Sequence, residues 1–156
     1  MTCNRRTFIQ QALVVSAYTG VFGSGLLAAQ KTQATWIAED FTPGSLTASL
    51  KHLYNDAPIT LSDAITLKLP RIAENGAVVP ITVSTTLAKV TDIAIFVAKN
   101  PTPLSGIFKL SPDLDPVVSA RIKMAETSEV LAIVMSEGQL YKAVQEVKVT
   151  IGGCGG

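Results

Sequence analysis

Cysteine and histidine are nearly absent, two of the first and one of the second in 156 residues. So few soft ligands exclude both a disulfide framework and an all-protein thiolate-imidazole metal site, and no cofactor of the chain's own is expected. Charge of one sign is lacking too. The 13 Lys and Arg are balanced by 12 Asp and Glu, for a formal charge of +1, and they are scattered without a run. A nucleic-acid partner, which needs a clustered basic face, is therefore excluded. The length suits one domain with one core and leaves no room for a second.

What is present begins with a segment unlike the rest. Residues 1–29 contain Arg5 and Arg6, no acidic residue, and an apolar stretch from Ala12 to Ala29. Such a segment reads as a targeting signal. Its start, Asn4-Arg5-Arg6-Thr7-Phe8-Ile9-Gln10, is similar to a twin-arginine export signal, from which Asn4 and Gln10 depart. The stretch is nearly long enough to cross a bilayer as an anchor. Gly20, Gly23 and Gly25, followed by Leu27-Ala28-Ala29, favour cleavage between Ala29 and Ala34. The expectation is an exported, periplasmic protein with no stable membrane anchor. Cys3 leaves with the signal, so Cys154 remains as a single thiol in an oxidising compartment.

Leu46, Leu50, Leu53 and Tyr54 share one face of a helix predicted within Pro43 to Asn55 and closed by Pro58. From Ile59 the period changes to two. Ile65, Leu67 and Leu69 alternate with polar residues, and so do Val79, Ile81 and Val83 beyond Glu74-Asn75-Gly76. This predicts a hairpin whose Asn-Gly supplies the positive φ of a tight turn, with Pro80 marking an edge strand or a bulge. Further alternating runs lie at Ile93 to Val97, Leu104 to Leu110 and Val118 to Met124. Glu129 to Met135 is apolar on both faces, as a central strand would be. After Glu137-Gly138 a last strand puts Tyr141, Ala143, Val147, Val149 and Ile151 on one face. About seven short strands with almost no helix predict an all-β, immunoglobulin-like antiparallel β-sandwich over residues 30–151.

The chemistry lies at residues 152–156. Gly152, Gly153, Gly155 and Gly156 flank Cys154, which predicts a flexible arm able to carry the thiol roughly 10 Å past Ile151. No Lys, Arg or His lies within five residues of Cys154, so its pKa stays near the ordinary value of about 8.5 and activation must come from a partner's site. A catalytic cysteine normally has a base or cation in reach. The pattern therefore points to a covalent carrier and not to an enzyme.

His52 on the helix reads as structural. Asp113 and Asp115, between Ser111-Pro112 and Pro116, read as turn residues and not as a metal pair.

The tail from Val147 to Gly156 resembles the C-terminus of the SoxY family, the sulfur-carrying subunits of the Sox thiosulfate-oxidising system. The likeness extends through Ala73 to Pro80, Lys99-Asn100-Pro101, Pro103-Leu104 and Arg121 to Ala125. The resemblance implies an immunoglobulin-like sandwich paired with a SoxZ-like β-sandwich subunit, as a heterodimer or higher assembly. It implies that sulfur is attached at Cys154. It also implies a haem-containing enzyme that couples thiosulfate to that thiol, a dimanganese hydrolase that releases sulfate and, in some organisms, a molybdenum-haem dehydrogenase for the remaining sulfane sulfur. The metals and haems belong to those partners.

Two rival readings use the same tail. A ubiquitin-like carrier would activate Gly155-Gly156 with ATP, which an exported protein lacks, and would need a β-grasp fold. An exported structural sandwich would use Cys154 for an intermolecular disulfide.

Overall fold

The structure, a computed structural model, describes residues 37–111 and 113–150. The expected leader with Arg5 and Arg6 lies outside these residues. So do Ile151 and the glycine-cysteine sequence of Gly152, Gly153, Cys154, Gly155 and Gly156.

The chain enters through a 3₁₀ turn, Ala38–Phe41, and one helix, α1 (Leu46–Tyr54). The helix starts three residues after Pro43, because the Ser45 side chain caps it by accepting from the Ala48 amide at 3.2 Å. Asn55, left-handed at φ 49°, ends it. Nine residues are too few for a helix stable in water. Its stability comes from Leu46, Leu50, Leu53 and Tyr54, the face read from the sequence, which pack against Phe96, Leu131 and Ile133. Burial, and after it the charge of Asp92, holds the Tyr54 hydroxyl well above the usual tyrosine range, so it stays a neutral phenol.

Nine strands follow among the described residues: β1 (Ile59–Leu61), β2 (Ile65–Lys68), β3 (Ile72–Ala73), β4 (Val79–Thr85), β5 (Val90–Val97), β6 (Leu104–Lys109), β7 (Val117–Ile122), β8 (Ser128–Ser136) and β9 (Gln139–Val149). The larger sheet has the order β1-β9-β8-β5-β6, with β3 also on β9, and the smaller has the order β2-β4-β7. One face of β5 and β8 meets the small sheet through Ile93, Ile95, Val97, Val130, Ala132 and Val134. The opposite face meets α1. That double coverage is why Glu129 to Met135 is apolar on both sides. The result is the antiparallel-rich, immunoglobulin-like sandwich the sequence predicts, with the helix as a third layer over one sheet.

Three features differ from the expectation. The sandwich is not purely antiparallel: β1 and β3 both pair with β9 in parallel, Ile59 opposite Leu140 and Ile72 opposite Lys148. At three and two residues, they are too short to show a period in the sequence. Strands β2 and β4 do pair as expected, Ile65 opposite Thr85. Their connection, however, is not a tight hairpin, because the chain crosses to β9 in between. Finally, neither Asn75 nor Gly76 has a positive φ. Among the described residues the left-handed positions are Asn55, Asp56, Lys89, Glu137 and Gly138. The last two form the two-residue β8–β9 hairpin. Although β4 is central in its sheet, the β2 ladder stops at Thr82, so Pro80 is paired on the β7 side alone.

Candidate functional site

The tail that bears Cys154 follows directly from a strand held on several sides. From Val147 opposite Ser128 to Gln139 opposite Ser136, β9 is zipped along β8, and its far end is pinned by three bonds to two other segments. The Lys148 amide donates to Arg71 O at 2.9 Å, the Val149 amide to Thr127 Oγ1 at 3.0 Å, and the Thr150 amide to Ala73 O at 3.1 Å. The sequence places Cys154 four residues past Thr150.

Beside this strand end the Gly76 carbonyl accepts from the Met124 amide at 2.7 Å. A Cβ on Gly76 would stand 2.3 Å from Met124 O and 3.0 Å from Val149 Cγ1. Glycine is required here by a close approach of two backbones, not by a left-handed turn. The neighbouring Asn75 side chain accepts from the Ala77 amide at 2.9 Å and fixes the bend that brings Gly76 in.

Asn100 locks the other side. Its Nδ2 donates to Lys123 O at 2.7 Å and its Oδ1 accepts from the Ala125 amide at 3.0 Å, so one amide group brackets Met124. Met124 is buried in the main core. Lys99 N donates to Ser128 Oγ at 3.0 Å and ties the same turn to the start of β8.

These contacts frame a cleft of about 680 Å³ lined by Gly76, Ala77, Asn100 to Thr102, Leu104, Ser105 and Arg121 to Ala125. Among the described residues that line it, Arg121 and Lys123 are the charged ones and none is a carboxylate. Both are exposed, and neither belongs to an ion pair among the described residues. The cleft is thus a positively charged recess at the end of the sandwich from which the Cys154 tail departs.

The remaining candidates sit elsewhere. His52 Nε2 lies 3.2 Å from Asp40 Oδ1 on the surface and links α1 to the 3₁₀ turn. Asp113 and Asp115 fall in the turn between β6 and β7, where the Leu114 amide donates to Ser111 O and the Val117 amide to Asp115 O. Among the described residues no three His, Cys, Asp or Glu side chains gather as metal ligands would. Sequence reasoning assigned no site role to Asn100, Arg121 or Lys123. Their segments are nevertheless the ones that carried the family likeness, and Ala73 to Pro80, Lys99 to Leu104 and Arg121 to Ala125 all meet at this cleft.

The model of the family described as sulfur oxidation protein SoxY matches residues 50–154. The structure of the sulfur carrier protein SoxY from Chlorobium limicola f thiosulfatophilum is 43% identical, with 69% of this chain and 97% of that one covered and a TM-score of 0.63. A superoxide reductase (neelaredoxin) from Ignicoccus hospitalis superposes at a TM-score of 0.53 over 59% of this chain and 95% of that one, at 15% identity, a likeness of fold alone. No curated protein matches the chain.

Proposed function

Because this chain belongs to the SoxY family of sulfur oxidation proteins, we propose that it is a periplasmic carrier that holds intermediates of thiosulfate oxidation covalently on Cys154. The observation that carries the reading is the family match running through residue 154, joined to a strand pinned up to Thr150 immediately before the glycine-flanked thiol. A fixed base with a thin tether lets the thiol enter another protein's pocket while the domain stays outside. Each successive enzyme then meets its substrate at high effective concentration.

The chemistry is that of a thiol without local activation. Loading joins the Cys154 sulfur to the sulfane sulfur of thiosulfate. The S–H proton is released and two electrons pass to the haem-containing partner, leaving Cys154–S–S–SO₃⁻. Hydrolysis at the dimanganese partner adds water to the terminal sulfur, expels sulfate and leaves a persulfide. A molybdenum-haem partner, where present, oxidises the sulfane sulfur further. This chain contributes the attachment point, the tether and the docking body, and a SoxZ-like subunit completes the assembly. Export through a twin-arginine signal at Arg5 and Arg6 puts the thiol where those partners work.

The test is the intact mass, without reductant, of protein isolated from cells growing on thiosulfate, together with a Cys154→Ser variant. The reading expects sulfur or thiosulfate-derived adducts on the C-terminal peptide, removable by reductant. It also expects the variant to fold normally and to lose thiosulfate turnover in a reconstituted system. Normal turnover by Cys154→Ser sinks it, and a permanent protein-protein disulfide in place of adducts moves the chain to the structural reading.

A further inference from the structure

Asn75 and Gly76 bring an electrophile and a nucleophile together in a turn that leaves the nucleophile free. The Asn75 side chain accepts from the Ala77 amide at 2.9 Å, and the Val78 amide donates to Asn75 O at 3.4 Å. The ring closed by the first of these bonds contains both the side-chain carbon Asn75 Cγ and the Gly76 nitrogen, and the bond draws electron density away from Cγ. The Gly76 amide, by contrast, donates to no acceptor among the described residues. Asn75 is exposed, so water reaches the pair. Glycine has no Cβ to crowd an attack by its own nitrogen. The other asparagines of the described fold lack this combination. Asn100 precedes Pro101, whose nitrogen carries no hydrogen, and both ends of its side-chain amide are bonded. Asn55 precedes Asp56, whose Cβ hinders the same attack.

We infer that Asn75 is a site of spontaneous modification, at which the folded protein converts its own asparagine into isoaspartate and aspartate. The Gly76 nitrogen attacks Asn75 Cγ, the Cγ–Nδ2 bond breaks, and ammonia leaves with the amide proton, which closes a succinimide ring. Water then opens one of the two ring C–N bonds next to a carbonyl. Opening at Cγ gives aspartate. Opening at the main-chain carbonyl carbon gives isoaspartate, in which the side-chain carbons have become part of the backbone. Neither an oxidant nor an enzyme takes part.

The position makes the product disruptive. Gly76 O accepts from the Met124 amide at 2.7 Å, and even a methyl on Gly76 would stand 2.3 Å from Met124 O. An extra main-chain carbon directly before Gly76 therefore displaces it from Met124, because close-packed groups leave no slack to take it up. The new carboxylate also enters beside a recess whose charged lining residues, among the described ones, are Arg121 and Lys123. Conversion loosens the cleft end of the sandwich and changes its charge, while the β8–β9 hairpin end is untouched. Because the ammonia is lost, the change is not undone, and the converted fraction records the age of the chain. None of this depends on the sulfur-carrier reading.

The full mature chain is incubated at pH 8 and 37 °C, folded in buffer and unfolded in urea. Peptide mapping by mass follows the conversion of amide to acid at each asparagine, and methylation by protein isoaspartate methyltransferase identifies isoaspartate. In the folded protein Asn75 converts within about tenfold of its unfolded rate, since an exposed turn opens at little cost, while Asn55 and Asn100 remain amides. Hydrogen exchange of the aged protein speeds up at Lys123 to Ala125 and is unchanged in β8. An Asn75→Ser variant, whose hydroxyl also serves turns of this kind, passes through the same incubation with neither change. A folded rate below that range overturns the inference, because the turn then protects the residue. So does converted protein that exchanges at Lys123 to Ala125 as fresh protein does, or an Asn75→Ser chain that opens there as fast as aged wild type.

Discussion

The two ends of the sandwich are closed by different means. At the β8–β9 hairpin end, backbone conformation and charge pairs do most of the closing, with one neutral group, the Ser136 hydroxyl, donating to Ala88 O at 2.6 Å. Glu137 and Gly138 turn the chain with φ of 50° and 78°, Lys89 is left-handed at 47°, and its Nζ pairs with Glu137 Oε1 at 3.3 Å. Just past α1, Lys51 Nζ pairs with Asp56 Oδ2 at 3.2 Å. At the opposite end, where β9 finishes, neutral side chains do the work. Asn75, Asn100, Thr127 and Ser128 bond backbone groups, while Arg121 and Lys123 stay without an ion pair among the described residues. The hairpin end neutralises its charges. At the cleft end Arg121 and Lys123 take part in no ion pair among the described residues, so the bonds that hold it are those of neutral groups.

The comparison breaks most readily at its glycines, where it predicts the largest effect. Gly76→Ala puts a methyl against backbone that cannot move aside cheaply, 2.3 Å from Met124 O. It is expected to cost about 2–3 kcal/mol, as overpacking does. Gly138→Ala meets nothing within 4 Å and suffers only from its positive φ, at about 1 kcal/mol. Urea unfolding of both variants checks the order. A Gly138 cost equal to or above that of Gly76 means that Gly76 does not hold the cleft end by close approach.

Gly76 also marks how far the sequence could be read. Asn75-Gly76 between two alternating runs looks local, and local pattern predicts a positive-φ hairpin. The actual partner is Met124, distant in sequence and brought near only by tertiary folding, so no window around Gly76 contains the reason for the glycine. Strands β1 and β3 were hidden for a related reason, since their pairing is dictated by β9 and not by their own two or three residues. By contrast, α1 and β8 were legible because burial imposes a period or a continuous apolar run on the residues themselves. The cleft was half legible. Its segments stood out as a family likeness, but exposed Arg121 and Lys123 are also what the solvent face of any strand displays, and only the fold shows that no carboxylate joins them among the described residues. Cys154 was read from the sequence alone, where four glycines flank it without any structure being needed to single it out.

Asn100 tests the claim that neutral groups hold the cleft end. Asn100→Ala deletes both bonds around Met124 and, at a half-buried site, is expected to cost about 1–2 kcal/mol. Because no charge is involved, the loss should be the same in low and high salt. A loss that shrinks with salt would mean that Asn100 acts by steering Lys123 and not by fixing the backbone. Amide exchange should localise the change, with the Lys123 to Ala125 segment opening before β8 and β9.

The smallest effect is the sharpest discriminator, because the comparison predicts its sign. Lys89→Gln breaks an ion pair whose partners are 72% and 59% exposed, so it should cost only about 0.3 kcal/mol. Arg121→Gln removes a cation that has no ion-pair partner among the described residues and has Lys123 two residues along the same exposed side. Relief of like-charge proximity then makes the variant equal to wild type or more stable by a similar few tenths. Glutamine keeps part of each apolar stem, so lost packing does not mask the charge term. Both shifts should fade when unfolding midpoints are measured again in 0.5 M salt, where a Debye length of about 4 Å screens exposed charges. If Arg121→Gln instead destabilises the unloaded protein as much as Lys89→Gln does, the fold itself uses that charge and the two ends are closed alike. If it does not, Arg121 adds nothing to the stability of the domain, and the two ends differ in what their charges do.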